Sequence, residues 1–235
     1  MTAIVDLTPL IMPFVRDASM AATVAAARFA AIEFYKLTLW QQEMLEPIDL
    51  QTGRAIYEVE TPPNTVPTLV MRIEIDDRNR VLVPKTKDEL DQLYGVDWTD
   101  REGVPTYYTQ IEPNEVILVP CPDDNYLGIT PPDPFNPPDP LAPPVIVRRQ
   151  MRIIAAVQPT VDAAEIDDSL FNYYGEAIAY GARARLVETA GQPYYDPQAA
   201  PMLWGRFYGG VSEAKARRMR DHTRAVQHVQ LRKWV

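Results

Sequence analysis

The residues able to do chemistry are few in this 235-residue chain, and their spacing limits what they can do. His222 and His228 are its two histidines, six positions apart. Two ligands share one helix face at i, i+4, so this spacing favours separate histidines over a metal pair. Asp76 and Asp77, Asp123 and Asp124, and Asp167 and Asp168 are adjacent carboxylates that could act as general acid and base. Each pair falls in an expected turn or at a helix start, where aspartate forms turns and caps. Cys121 lies between Pro120 and Pro122 with no base beside it in sequence, so a nucleophilic thiol has no obvious activator. The tyrosine pairs 107–108, 173–174 and 194–195 could stack nucleobases, but basic residues are not interleaved with them. There is no glycine-rich phosphate loop, GxSxG elbow, HExxH or CxxC. The reading is a protein without enzymatic activity, metal or cofactor.

Charge points to partners instead. The net charge is −9, yet residues 201–235 hold eight Lys or Arg against Glu213 and Asp221. A basic C-terminal end on an acidic body suits docking to an acidic surface or to nucleic acid. A solvated helix face with cations near its C-terminus accounts for it equally well. No apolar run reaches the roughly 18 residues of a membrane span, and a lone cysteine excludes an intramolecular disulfide.

The elements that would position these residues fall into a clear order. A helix capped by Asp17 or Ser19 should run to about Gln41, alanine-rich early and aromatic late (Phe29, Phe34, Tyr35, Trp40). A second helix should start at Asp167 or Asp168, with Phe171, Tyr174, Ile178, Ala182 and Leu186 on one face and Gly191 with Pro193 ending it. Gly175 and Gly181 invite close packing there. A third helix opens near Asp196 and Pro197, or later at Pro201, with Trp204, Phe207, Tyr208, Val211 and Ala214 apolar and a basic face from Lys215. Residues 1–16 predict only a short turn around Pro9 to Phe14.

Between the first and second helices the pattern is β. Strands are expected over 54–60, 69–75 (with Leu69, Met71, Ile73 and Ile75 alternating), 81–83, 107–109, 115–119, 126–129 and 145–157. Thr86 and Glu89 have capping-box spacing before a short helix. Eight prolines within residues 131–144 exclude helix or central strand, leaving an extended excursion. The predicted fold class is α+β: an antiparallel helical bundle (1–46 and the hairpin 160–222), an inserted small antiparallel β domain (47–159), and an extended C-terminal arm (223–235).

The ordered set of motifs resembles the head-to-tail adaptor (connector, or head-completion) proteins of short-tailed bacteriophages, of the tail-tubular-protein-A type. The likeness is carried by Ala26-Ala27-Arg28-Phe29 to Glu33-Phe34-Tyr35, by Gly53-Arg-Ala-Ile-Tyr57, and by Leu82-Val83-Pro84-Lys85-Thr86. It continues through Gly103-Val-Pro105-Thr-Tyr-Tyr108, Glu115 to Pro122, Gly181-Ala182-Arg-Ala184-Arg-Leu186, Tyr195-Asp196-Pro197-Gln-Ala199 and Arg206-Phe207. It spans about residues 18 to 220, and residues 131–144 depart from it.

The resemblance implies a structural virion protein at the portal vertex, made in the host cytoplasm. Its copies would form a ring, commonly twelve-fold, between the portal protein and the tail or nozzle protein, around a channel that double-stranded DNA crosses without sequence-specific binding. No membrane is implied. Bundle and ring packing is expected of Phe29, Phe34, Tyr174, Ile178, Gly181, Ala182, Trp204 and Phe207. Portal docking is expected of Arg224, Val226, Val229, Leu231, Arg232, Lys233, Trp234 and Val235, whose apolar and basic groups suit an acidic partner. The alternative is a monomeric DNA-binding protein using the basic helix over residues 215–224.

Overall fold

The structure is a computed structural model that describes residues 1–75, 80–127 and 149–219. In chain order, β1 (Thr2–Ala3) leads through a 3₁₀ turn to α1 (Thr8–Ile11) and α2 (Met20–Thr38). Then come β2 (Gln41–Met44), β3 (Ile48–Asp49), β4 (Ile56–Glu58), β5 (Thr65–Ile75), β6 (Arg80–Val81) and β7 (Val83–Pro84). After α3 (Lys87–Tyr94) follow β8 (Glu102–Gly103), β9 (Tyr107–Thr109), β10 (Glu115–Val119), β11 (Cys121–Pro122) and α4 (Asp124–Leu127). The chain continues with β12 (Gln150–Pro159), β13 (Glu165–Ile166), α5 (Asp168–Val187) and α6 (Ala200–Met219). Two compact units result: Met1–Gln41 with the chain from Gln158 onward, and Gln42–Val157.

The first unit is built on α2, α5 and α6, whose ends are set by local hydrogen bonds. Ser19, not Asp17, caps α2 by accepting from the Ala22 amide at 3.2 Å. That helix stops at Thr38 because Leu39 turns left-handed (φ 51), and its amide reaches the Tyr35 carbonyl at 2.7 Å. Asp167 caps α5 through the Leu170 amide at 3.0 Å. For α6, Asp196 accepts from the amides of Gln198 and Ala199, so a capped turn precedes a helix starting at Ala200 with Pro201 in its first turn.

Packing between these helices is close. Phe34, Ile178, Ala182, Phe207 and Ala214 are completely buried in one core. A methyl added at Gly181 would sit 2.6 Å from the Phe207 ring. The N-terminal residues belong to the same core, which their irregular pattern conceals: Ile4, Leu7 and Ile11 are buried, and β1 pairs antiparallel with β13.

The expected architecture, a helical bundle carrying a small antiparallel β insert, is overturned. Among the described residues the chain is an α+β protein with thirteen strands in four sheets against six helices, so sheet dominates by number of elements, and the sheets include a curled half-barrel. The second unit contains a four-stranded sheet (β4-β10-β9-β7), the pair β11-β8, and a five-stranded sheet (β2-β12-β5-β6, with β3 on β12). Two of its pairings, β7 with β9 and β11 with β8, are parallel. Most strands are two to five residues long, too short to show a two-residue alternation.

Burial on both faces hides other signals. In β10, Val116 and Leu118 join one core while Ile117 and Val119 join a second one with Leu90 and Trp98. From Val116 to Val119 the strand is therefore continuously apolar, as strands covered on both sides are.

Three local expectations change. The segment 81–83 does not return as one strand, because β6 pairs with β5 while β7 pairs with β9, with Leu82 buried between them. Residues 124–127 form α4, not a strand, because Asp123 accepts the Tyr126 amide at 2.6 Å and starts a helical turn. In β5 Leu69 is 42% exposed and Val70 only 4%. The Val70 amide donates to Gln110 Oε1 at 2.8 Å and its carbonyl accepts from the Tyr108 hydroxyl at 3.4 Å. Side chains hold the strand backbone there, and the alternation slips by one.

Candidate functional site

Seven of the eight residues expected to pack the helices occupy the first unit's interior or its edge. The Phe34 ring lies 5.4 Å from Tyr174 and 6.0 Å from Phe207, and Trp204 lies 5.5 Å from Phe207. Ile178, Gly181 and Ala182 surround this cluster on α5. These side chains hold the unit together and, Trp204 apart, are buried away from any neighbour. Phe29 is not brought to them. It points outward on α2 and is 48% exposed.

The outward faces are where the unit is unusual. Of the nineteen residues in α2 only Arg28, Glu33 and Lys36 are charged. Its uncovered side carries Ala25, Phe29 and Ile32. Helices apolar on all sides are normally buried on all sides. Beside Phe29, the Nε of Arg28 is buried with no hydrogen-bond partner.

On α6, Gly205 and Gly209 face outward four residues apart, and a Cβ added at either would meet nothing within 4 Å. Exposed Ser212 and Ala216 continue that small-residue side, with exposed Glu213 next to it. A mid-helix glycine costs about 1 kcal/mol relative to alanine, and the packing within the chain gives no reason for these two. A polar strap joins the three helices beside them. Glu33 pairs with Arg185 and accepts from the Tyr208 hydroxyl at 3.3 Å, and Arg185 lies 5.5 Å from the Trp204 ring. The outward glycines were not singled out in the sequence, although their i, i+4 spacing is visible there.

The other chemical candidates have structural uses. Asp123 and Asp167 are caps, and Asp124 accepts from the Thr52 hydroxyl at 2.8 Å. Cys121 is buried, and that burial, reinforced by Glu102, pushes its thiol above the ordinary range. Tyr108 is buried, and Tyr107 packs edge-on to Tyr94 at 6.2 Å. Tyr174 is in the core, while Tyr173 and Tyr195 are exposed.

In the basic helix, Arg217 sits 4.3 Å from the Tyr173 ring and Arg218 donates to the Thr38 carbonyl at 3.0 Å. The portal-docking residues Arg224, Val226, Val229, Leu231, Arg232, Lys233, Trp234 and Val235 lie outside the described residues, as do His222, His228, Asp76, Asp77 and residues 131–144. Among the described residues no group of His, Cys, Asp or Glu could hold a metal, and no helix is long and apolar enough to cross a membrane.

The fold and these surfaces describe a two-unit α+β protein whose helical unit displays an apolar helix face and a glycine-lined one. No protein-family model matches the chain, and no curated protein matches it.

Proposed function

We propose that this chain is a non-enzymatic ring subunit that connects a phage portal to the tail and lines the DNA channel between them. The observation that carries this reading is the pair of outward faces on the helical unit. The apolar side of α2 presents Phe29 as a projection, and the glycine side of α6 presents a surface without side chains that could receive it. Arg28 beside the one and Glu213 beside the other are complementary in charge. Two different patches on one subunit make a head-to-tail contact, and such contacts close into rings when the rotation allows. The motif resemblance adds the partners: the portal protein through residues 224–235, the tail or nozzle protein, and DNA passing through without sequence-specific binding. The acidic body suits a conduit in which DNA slides.

The DNA-binding alternative draws less support. Arg217 and Arg218, two cations of the basic helix, already contact Tyr173 and Thr38.

The test is native mass spectrometry of the protein alone and with its portal. Several copies per portal are expected, with assembly lost in Phe29→Asp and in Gly205→Leu/Gly209→Leu. Deleting residues 225–235 should abolish portal attachment and leave the fold intact. A monomer that ignores the portal and binds DNA with a steep salt dependence supports the alternative instead.

A further inference from the structure

The first unit holds a cleft of about 530 Å³ between the turn after α1 and the α5–α6 hairpin. On its α5 side lies Arg183, only 6% exposed. Its guanidinium is 3.7 Å from the Phe14 ring centre and 4.9 Å from that of Tyr180, and both Nε and Nη2 donate to the Leu10 carbonyl. A second guanidinium, Arg206 of α6, lies 4.9 Å from the same Tyr180 ring and donates to its hydroxyl at 2.6 Å. Tyr180 in turn donates to Glu176 at 2.9 Å.

Two cations thus converge on one tyrosine, and among the described residues neither is within ion-pair distance of a carboxylate. The cleft's acids do not supply one. Asp196 holds the amides of Gln198 and Ala199, Glu176 holds the Tyr180 hydroxyl, and Asp17 stands in a left-handed turn at φ 70.

Arg183 is faced by the Leu10 carbonyl and ring faces, with the charge of Glu176 acting on it from beyond ion-pair distance, so its burial is only partly compensated and a further anion is favoured. Burial accordingly draws the Arg183 guanidinium below its ordinary range. The walls beside the arginines are apolar and open, with Phe14 68% and Met202 59% exposed. Convergent cations with an apolar rim match an acidic side chain next to a hydrophobic one.

We propose that this cleft docks an acidic–apolar segment of a partner polypeptide. Arg206, which is exposed, takes the carboxylate within the field of Arg183, and Phe14 and Met202 cover the neighbouring apolar side chain. This does not depend on the ring reading, because a single subunit contains the whole cleft.

The probe is N-acetyl-Glu-Leu-amide, titrated into the full chain while the ring resonances of Phe14, Tyr180 and Tyr194 are followed by NMR. Saturable shifts are expected, weakened about tenfold or more in Arg206→Met and with the Gln-Leu analogue. Arg206→Met should keep its thermal midpoint, since Arg206 is exposed. Equal binding of the Gln analogue, an unchanged affinity in Arg206→Met, or no saturable shift overturns the proposal. So does acetate matching the dipeptide, which would make the cleft a small-anion site only.

Discussion

Gly210 of α6 faces Ala177 of α5 so closely that a Cβ built on the glycine would stand 2.4 Å from the Cβ of the alanine. Neither methyl could swing aside, because each would be fixed to its backbone. Gly210→Ala should therefore force the two helices apart and destabilise the protein by about 1–3 kcal/mol. At Gly205 and Gly209 an added Cβ meets open space. Alanine there should stabilise the protein by about 0.5–1 kcal/mol at each position, through helix propensity. Urea unfolding of the three variants should give opposite signs for position 210 and the other two. The same sign at all three would refute the packing assignment.

The start of α3 should weaken in acid. Glu89 accepts from the Thr86 amide at 3.0 Å and pairs with Lys85 at 3.1 Å, and those two contacts, the amide first, hold its carboxyl below the ordinary range. A depressed native pKa means the contribution is complete above the usual glutamate range. It is lost as pH falls through the lowered native value. Hydrogen exchange at the Glu89 and Leu90 amides should therefore lose protection in that acid window. Thr86→Ala should weaken the same amides at all pH values and cost about 1 kcal/mol.

Cys121 should resist thiol reagents in the native protein. It is buried beside Glu102, and both effects favour the unreactive thiol over the thiolate. Labelling should run on the order of a hundredfold slower than in the unfolded chain and accelerate with denaturant. Rapid native labelling would contradict the burial.

Glu33 and Arg185 should be coupled, though modestly. Both side chains are partly exposed, at 26% and 36%, so solvent screens the pair. A double-mutant cycle with Glu33→Gln and Arg185→Met should give a coupling of about 0.5–1 kcal/mol. Arg185→Met alone should cost more than Glu33→Gln, since it also removes the contact with Trp204.

What could be read in advance follows interaction range. The Ser19 and Asp167 caps and the Thr86–Glu89 box each join residues three apart. Residue type and spacing announce such bonds, although they leave Asp17 beside Ser19 and Asp168 beside Asp167 as alternatives. The apolar faces of α5 and α6 were largely legible for the same reason, because Tyr174 and Ile178, and Phe207 and Val211, recur one helical turn apart, although Tyr208, expected on the α6 face, is exposed. The outward glycines of α6 were visible but mute, since sequence does not say which glycine faces a neighbour and which faces solvent.

Tertiary structure alone decided the rest. The Asp167 amide meets the Tyr35 hydroxyl across 132 positions, and the Val70 amide meets Gln110 across 40. Arg183 reaches the Leu10 carbonyl across 173 positions, so the cleft and the two cations in it could not be foreseen. The parallel pairs and two-residue strands of the second unit leave no period to detect. By itself the sequence determined the longer helices α2, α3, α5 and α6 and narrowed their caps to nearby candidates, because their hydrogen bonds close within one turn of chain; the four-residue helices α1 and α4 were not read from it. Sheet membership, the burial of the N-terminal segment and the cleft depend on partners that only the folded chain brings together.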